Sequence, residues 1–219
     1  MITYFLFLIG KAFTLVAGGY NIKKLSVPYK IMLILVAFAT VIECYGLYIS
    51  TVLHNQNAWL FNIYMIIEVW LMGLSAIYLI YNKYLKIFWF LLLSSTSTYW
   101  IIDIYSHSIF QFATSSLILN CIILTFMYIV VLFSNSLFST KNIFSQPVFW
   151  LCFSTILFFG CDIPFMGLHN YLFDKNPKLG DQLVNINNIL DIIRYPLVGI
   201  SFILLGRQHS KPLKVAGHV

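Results

Sequence analysis

Seven residues able to carry charge interrupt otherwise apolar stretches of this chain: Lys11, Glu43, Glu68, Asp103, Asp162, Asp191 and Arg194. Spacing groups several of them. Asn187, Asp191 and Arg194 are four and three apart, so on a helix they share one face, with Asn188 beside it. Tyr64 and Glu68 are four apart, and Asn62 precedes them. A charge at the centre of a bilayer costs ~2.5–3.5 kcal/mol on insertion scales. Such groups therefore turn inward and pair, or stay neutral. Five acids against two bases leave up to three carboxylates without an ionic partner. In a low-dielectric site these are protonated, or they hold a cation or a cationic ligand.

Two roles fit this set. Lys11, Glu43, Asn62, Tyr64, Glu68, Asp162, Asn187, Asp191 and Arg194 could build a ligand pocket or a proton or ion relay. The plainer role is structural, with an Asp191–Arg194 ion pair inside one helix and glutamates joining neighbouring helices. Pro164 and Pro196 fall inside apolar segments and free the carbonyls of Gly160 and Ile192, beside Asp162 and Asp191. Both are candidate hinges. The run Ser94-Ser95-Thr96-Ser97-Thr98 reads as close helix packing through small residues.

No catalytic residue is assigned, and no cofactor or metal is called for. The chain has no H-E-x-x-H and no set of histidines with aspartates at zinc spacing. It has no G-x-S-x-G elbow and no glycine-rich phosphate loop. The last apolar segment contains no lysine that could form a retinal Schiff base. His54, His107, His169, His209 and His218 fall in loops, near segment ends or in the tail, which does not suit a bis-histidine haem. The four cysteines (Cys44, Cys121, Cys152 and Cys161) all lie in apolar runs and read as small packing residues.

The elements that must hold these residues follow from composition. Of 219 residues, 60% are hydrophobic, and Lys+Arg 13 with Asp+Glu 7 supply the only full charges. A soluble domain of this length carries roughly 55, about a quarter of its residues. The chain therefore reads as all-α, a polytopic transmembrane bundle of about seven spanning helices in a lipid bilayer, with no nucleic-acid partner. The segments are 2–20, 30–53, 59–81, 86–106, 110–134, 147–172 and 182–205. Residues 1–206 form one domain and 207–219 a short basic tail. Segments 4 and 5, divided only by Ser106-His107-Ser108, are expected to form a tight antiparallel pair. Residues 174–178 make a polar loop. The first segment, with Lys11 in its middle and no basic residues ahead of it, reads as a retained helix rather than a cleaved signal.

Alternating sides sort the basic residues. Lys23, Lys24, Lys30, Lys83, Lys86, Lys141, Arg207, Lys211 and Lys214 collect on one side, and Lys175 and Lys178 on the other. Nine against two places the first side in the cytoplasm, the N-terminus outside and the C-terminus inside. The buried charges then fall between the midplane and the outer half.

Nearly the whole chain resembles a family of small bacterial seven-helix membrane proteins to which no activity is attached. The resemblance rests on Asn62-Ile63-Tyr64 with Ile67-Glu68, on Glu43, on Pro147-Val148-Phe149-Trp150 and on Asn185-Ile186-Asn187-Asn188-Ile189-Leu190-Asp191. It implies a multi-pass protein of the bacterial cytoplasmic (inner) membrane. The function expected is a sensor or receptor-like module that binds a small ligand in its outer half and signals to a cytoplasmic or membrane partner. A proton- or cation-coupled transporter or channel, using the same acids, is the alternative. An intramembrane enzyme acting on lipid is the second.

Overall fold

The structure, a computed structural model, describes residues 2–134 and 142–210. Lys141, Lys211, Lys214, His218 and the side chains of His169 and His209 lie outside the described residues. So does the tail from 211 onward. All regular structure among the described residues is helical: α1 (Ile2–Tyr20), α2 (Val27–Thr51), α3 (Ala58–Leu79), α4 (Lys83–His107), α5 (Thr114–Ser134), α6 (Pro147–Lys175) and α7 (Pro177–Ser210). Among the described residues, α2 to α7 each contain a stretch long and apolar enough to cross a membrane, and α1 adds the shorter apolar stretch Leu6–Tyr20.

Local chemistry sets the ends. Pro28 and Pro147 sit in the first turns of α2 and α6, where the missing N–H has no helical partner to lose. Asn82 caps α4, its Oδ1 accepting from Tyr84 N (2.8 Å) and Leu85 N (3.4 Å). Two connections differ from the sequence reading. The loop expected over 174–178 shrinks to Asn176: its own N–H still bonds Leu172 O, and its carbonyl accepts from Leu179 N and Gly180 N of the next helix. Pro177 opens α7, which thus starts five residues before 182 and runs for 34 residues, past 206. The link between α4 and α5 is longer than a three-residue break, because Ser108 turns the chain with φ 78° and the next helix begins only at Thr114.

Packing closes α1, α7, α6, α5, α3 and α2 into a ring, with α4 outside it against α3 and α5. The described buried side chains of α4 are accordingly few: Trp89, Leu93, Thr96 and Asp103. Its serine–threonine run bonds back to its own carbonyls, and Ser97 Oγ also accepts from Trp70 Nε1 at 2.8 Å. That bond explains a tryptophan in mid-span.

The half of the ring towards the α1–α2 and α3–α4 turns is packed mainly with apolar side chains. Tyr128, fully buried, donates there to Met72 O (3.1 Å), beside Met32, Leu93, Leu124, Leu151 and Phe202. Small residues let α1 lie close to α7. An ideal Cβ on Gly10 would stand 3.3 Å from Pro196 Cδ, and one on Gly199 would stand 2.6 Å from Phe13 Cε1. Thr14 Oγ1 donates to Tyr195 O at 2.6 Å across the same seam.

Candidate functional site

The opposite half of the ring, towards the α2–α3, α4–α5 and α6–α7 turns, contains a partly open cavity of about 380 Å³. Small-ligand pockets start at about 300 Å³. Glu43 enters from α2, Tyr64 and Glu68 from α3, Asp162 from α6, and Asn187, Asn188, Asp191 and Arg194 from α7. Helical spacing puts the α7 set on one face, as the four- and three-residue intervals require. Glu43, Glu68 and Asp191 keep 19, 12 and 15% of their side-chain surface exposed.

Each cation is paired across a helix interface. Arg194 Nη2 donates to Glu68 Oε1 at 2.9 Å, and its Nη1 lies 3.8 Å from Asp191 Oδ1. The intrahelical Asp191–Arg194 pair expected from sequence is thus the looser contact, because α3 brings Glu68 nearer to the guanidinium than the i, i+3 spacing brings Asp191. The Arg194 side chain also stands 3.0 Å from Met72 Sδ and 4.3 and 4.8 Å from the ring centroids of Phe158 and Phe159. Guanidinium over aromatic faces in a dry setting is a favourable contact. Lys11, wholly buried behind the cavity wall, forms an ion pair with Glu43 and lies 4.2 Å from the Phe7 ring and 4.6 Å from the Tyr195 ring.

The remaining acids divide. Asp103 belongs elsewhere: its Oδ2 accepts from Ser116 N (3.0 Å) and Oγ (2.7 Å), and its Oδ1 meets His107 Nδ1, so it caps the first turn of α5. Asp162 lines the cavity but is 3% exposed. Its Oδ2 receives only the Cys121 thiol at 3.6 Å, and its Oδ1 has no hydrogen-bond partner. Asp191 Oδ1 and Asn187 Oδ1 likewise lack hydrogen bonds.

Asn62 does not line the cavity. Its Nδ2 donates to Ile109 O (2.8 Å) and Gln111 O (2.7 Å), and its Oδ1 accepts from Ala113 N (3.1 Å). Every hydrogen bond an amide of this shape uses here goes to the α4–α5 loop. That loop carries Phe112, which lines the cavity and stacks on Phe61 at 6.3 Å. Asn62 therefore positions a wall residue. Pro196 is packed on Gly10 of α1, whereas Pro164 faces outward. Neither lines the cavity.

The aromatic part of the wall escaped the sequence reading: Phe7, Phe61, Phe112, Phe158, Phe159, Phe165 and Tyr195 join Tyr64. Phenylalanine is too common in this chain, at 20 residues, for its positions to signal a pocket. Cys44, which its apolar run marks only as a packing residue, is exposed and on the wall. Among the described residues no three His, Cys, Asp or Glu side chains gather as a metal site. Compared with known proteins, the chain matches no family model, no curated protein and no solved structure.

Proposed function

We propose that this integral membrane protein is a receptor-like module that binds a small ligand in the cavity of the α1–α7 ring and signals to a separate partner. One observation carries the reading: a 380 Å³ space where four carboxylates and one guanidinium meet eight aromatic rings. The space is open on one side, where exposed Cys44 and Leu47 join its wall, so a ligand has a way in to the buried Asp162 and Arg194. A route out of the cavity supports signalling over storage. Arg194 rests on Met72 Sδ, and the Met72 carbonyl holds the Tyr128 hydroxyl in the core of the other half. A ligand that draws Glu68 or Asp191 away from Arg194 changes the load on that contact.

The proposal includes the topology read from the basic residues, with the cavity towards the outside of a bacterial inner membrane, and the seven-helix family that the sequence resembles. A second reading, a cation-coupled transporter, draws on the same acids. Cys44 separates the two. In a Cys161→Ser background, a membrane-impermeant methanethiosulfonate bearing a quaternary ammonium is added to cells and, separately, to inside-out vesicles. Labelling of Cys44 from the cell exterior alone is expected. Labelling from both faces would mean alternating access and favour the transporter, and labelling from the cytoplasmic face alone would overturn the proposed orientation.

A further inference from the structure

The α6–α7 side of the cavity wall carries buried acceptors that have no hydrogen-bond partner. Four carboxylates meet two cations, and the short contacts pair Lys11 with Glu43 and Arg194 with Glu68. Of the other two, both on the α6–α7 wall, Asp191 has only the looser 3.8 Å contact with Arg194 Nη1, and Asp162 has no cation beside it among the described residues. The buried oxygens without hydrogen bonds on that wall include Asp162 Oδ1, Asp191 Oδ1 and Asn187 Oδ1. All are acceptors. Asp162 is buried to 97%, with only a weak thiol donor at its other oxygen. An orphaned buried acceptor costs the full desolvation of the group, so this wall calls for donors.

We infer that the cavity takes a protonated primary amine with a compact apolar body, its ammonium set against Asp162, Asn187 and Asp191. An ammonium offers N–H donors, no acceptor and a positive charge, which suits a wall where Asp162 lacks both a cation and a strong donor and where Asn187 Oδ1 and Asp191 Oδ1 lack hydrogen bonds. The body meets apolar side chains of the same wall, among them Phe61, Phe112, Leu117, Phe165 and Met166. The alternatives fit less well. A quaternary ammonium satisfies the charge but leaves the acceptors unmade. A bare metal ion wants a shell of oxygens, and the space is too large and too aromatic for one. A carboxylate ligand would face four acids with Arg194 already held by Glu68.

This inference rests on the cavity being the ligand site, and the experiment separates the two. The full chain in detergent is titrated with 2-phenylethylamine, its N,N,N-trimethyl derivative, 2-phenylethanol and 3-phenylpropionate. The readouts are the thermal-unfolding midpoint and the rate at which a maleimide modifies Cys44 in the Cys161→Ser background. The primary amine is expected to raise the midpoint in a saturable way and to slow the modification, while the other three do neither. Asp162→Asn and Asn187→Leu should each weaken the apparent affinity about tenfold or more, and Asn187→Leu, at a partly exposed position, keeps the test open if Asp162→Asn does not fold. Equal effects of the trimethyl derivative would overturn the hydrogen-bonding argument. Protection by the alcohol or the acid alone would overturn the amine and leave the cavity as the ligand site. No protection by any of the four would also overturn the amine, with external labelling of Cys44 still deciding the cavity reading.

Discussion

Arg194 is the residue on which the charged network turns. It is nearly buried, and its close partner is Glu68 at 2.9 Å rather than Asp191 at 3.8 Å. Breaking a buried pair from one side leaves an uncompensated charge, whereas replacing both partners by apolar groups is often neutral. Arg194→Met is therefore expected to destabilise the protein by about 3–5 kcal/mol in detergent, and Arg194→Met with Glu68→Met to restore most of the loss. Arg194→Met with Asp191→Met should restore little. Rescue through Asp191 instead would show that the intrahelical contact carries the pairing. Much of this site was legible in sequence, because a charge in an apolar run is rare and helical spacing fixes its face. Glu43, Glu68, Asp162, Asn187, Asp191 and Arg194 all reach the cavity. Which partner each chooses was not legible: Lys11 with Glu43 and Arg194 with Glu68 are separated by 32 and 126 positions. Asn62 misled for the same reason. A lone amide near a carboxylate looks like a ligand group until the loop it holds is placed.

At the scale of elements, the seam between α1 and α7 is where small residues matter most. Without a hydrophobic difference between lipid and protein, helices in a membrane associate through close packing and hydrogen bonds. Gly199 leaves room for Phe13 and Thr14, and Thr14 spends its hydroxyl on Tyr195 O beside Pro196. Gly199→Ala would set a methyl 2.6 Å from Phe13 Cε1, and the expected cost is about 1–3 kcal/mol as α1 is forced away. Gly19→Ala, with nothing within 4 Å, should be neutral or slightly stabilising, since alanine is the better helix former. Thermal unfolding of both variants in the same detergent checks the pair. Comparable losses at the two positions would remove the packing argument. The helices themselves were readable, because runs of apolar residues broken by Pro28, Asn82 and Pro147 leave few choices of boundary. The connections were less so. A run such as Asp174-Lys175-Asn176-Pro177-Lys178 is polar enough for a loop, yet a proline at the first position of a helix lets the chain turn on Asn176 alone.

For the whole molecule, the two ends of the bundle have different chemistry. Lys23, Lys24 and Lys30 lie at the α1–α2 turn, Lys83 and Lys86 at the start of α4, and Arg207 in the last turn of α7. Gln208 Nε2 reaches Ser145 O at 3.4 Å, tying that end of α7 to the entry of α6. The cavity opens the other half, where Lys175 and Lys178 are the basic residues at the α6–α7 turn. Basic residues close to spanning segments are retained on the cytoplasmic side during insertion, so the orientation proposed for the chain is also a proposal for the side from which the site is reached. A fluorescent protein fused after Val219 is expected to fold and fluoresce, and alkaline phosphatase at the same place to be inactive. The same phosphatase placed after Asn176 should be active, because that turn shares an end with the cavity. Reversing the bias, with Lys23, Lys24 and Lys30 changed to glutamine and lysines added around Asn55, should shift part of the population to the inverted pattern. Inversion would carry Cys44 to the cytoplasmic face, so phosphatase activity and external thiol labelling must change together. A chain that keeps one while losing the other would break the link between charge bias and the side from which its cavity is reached.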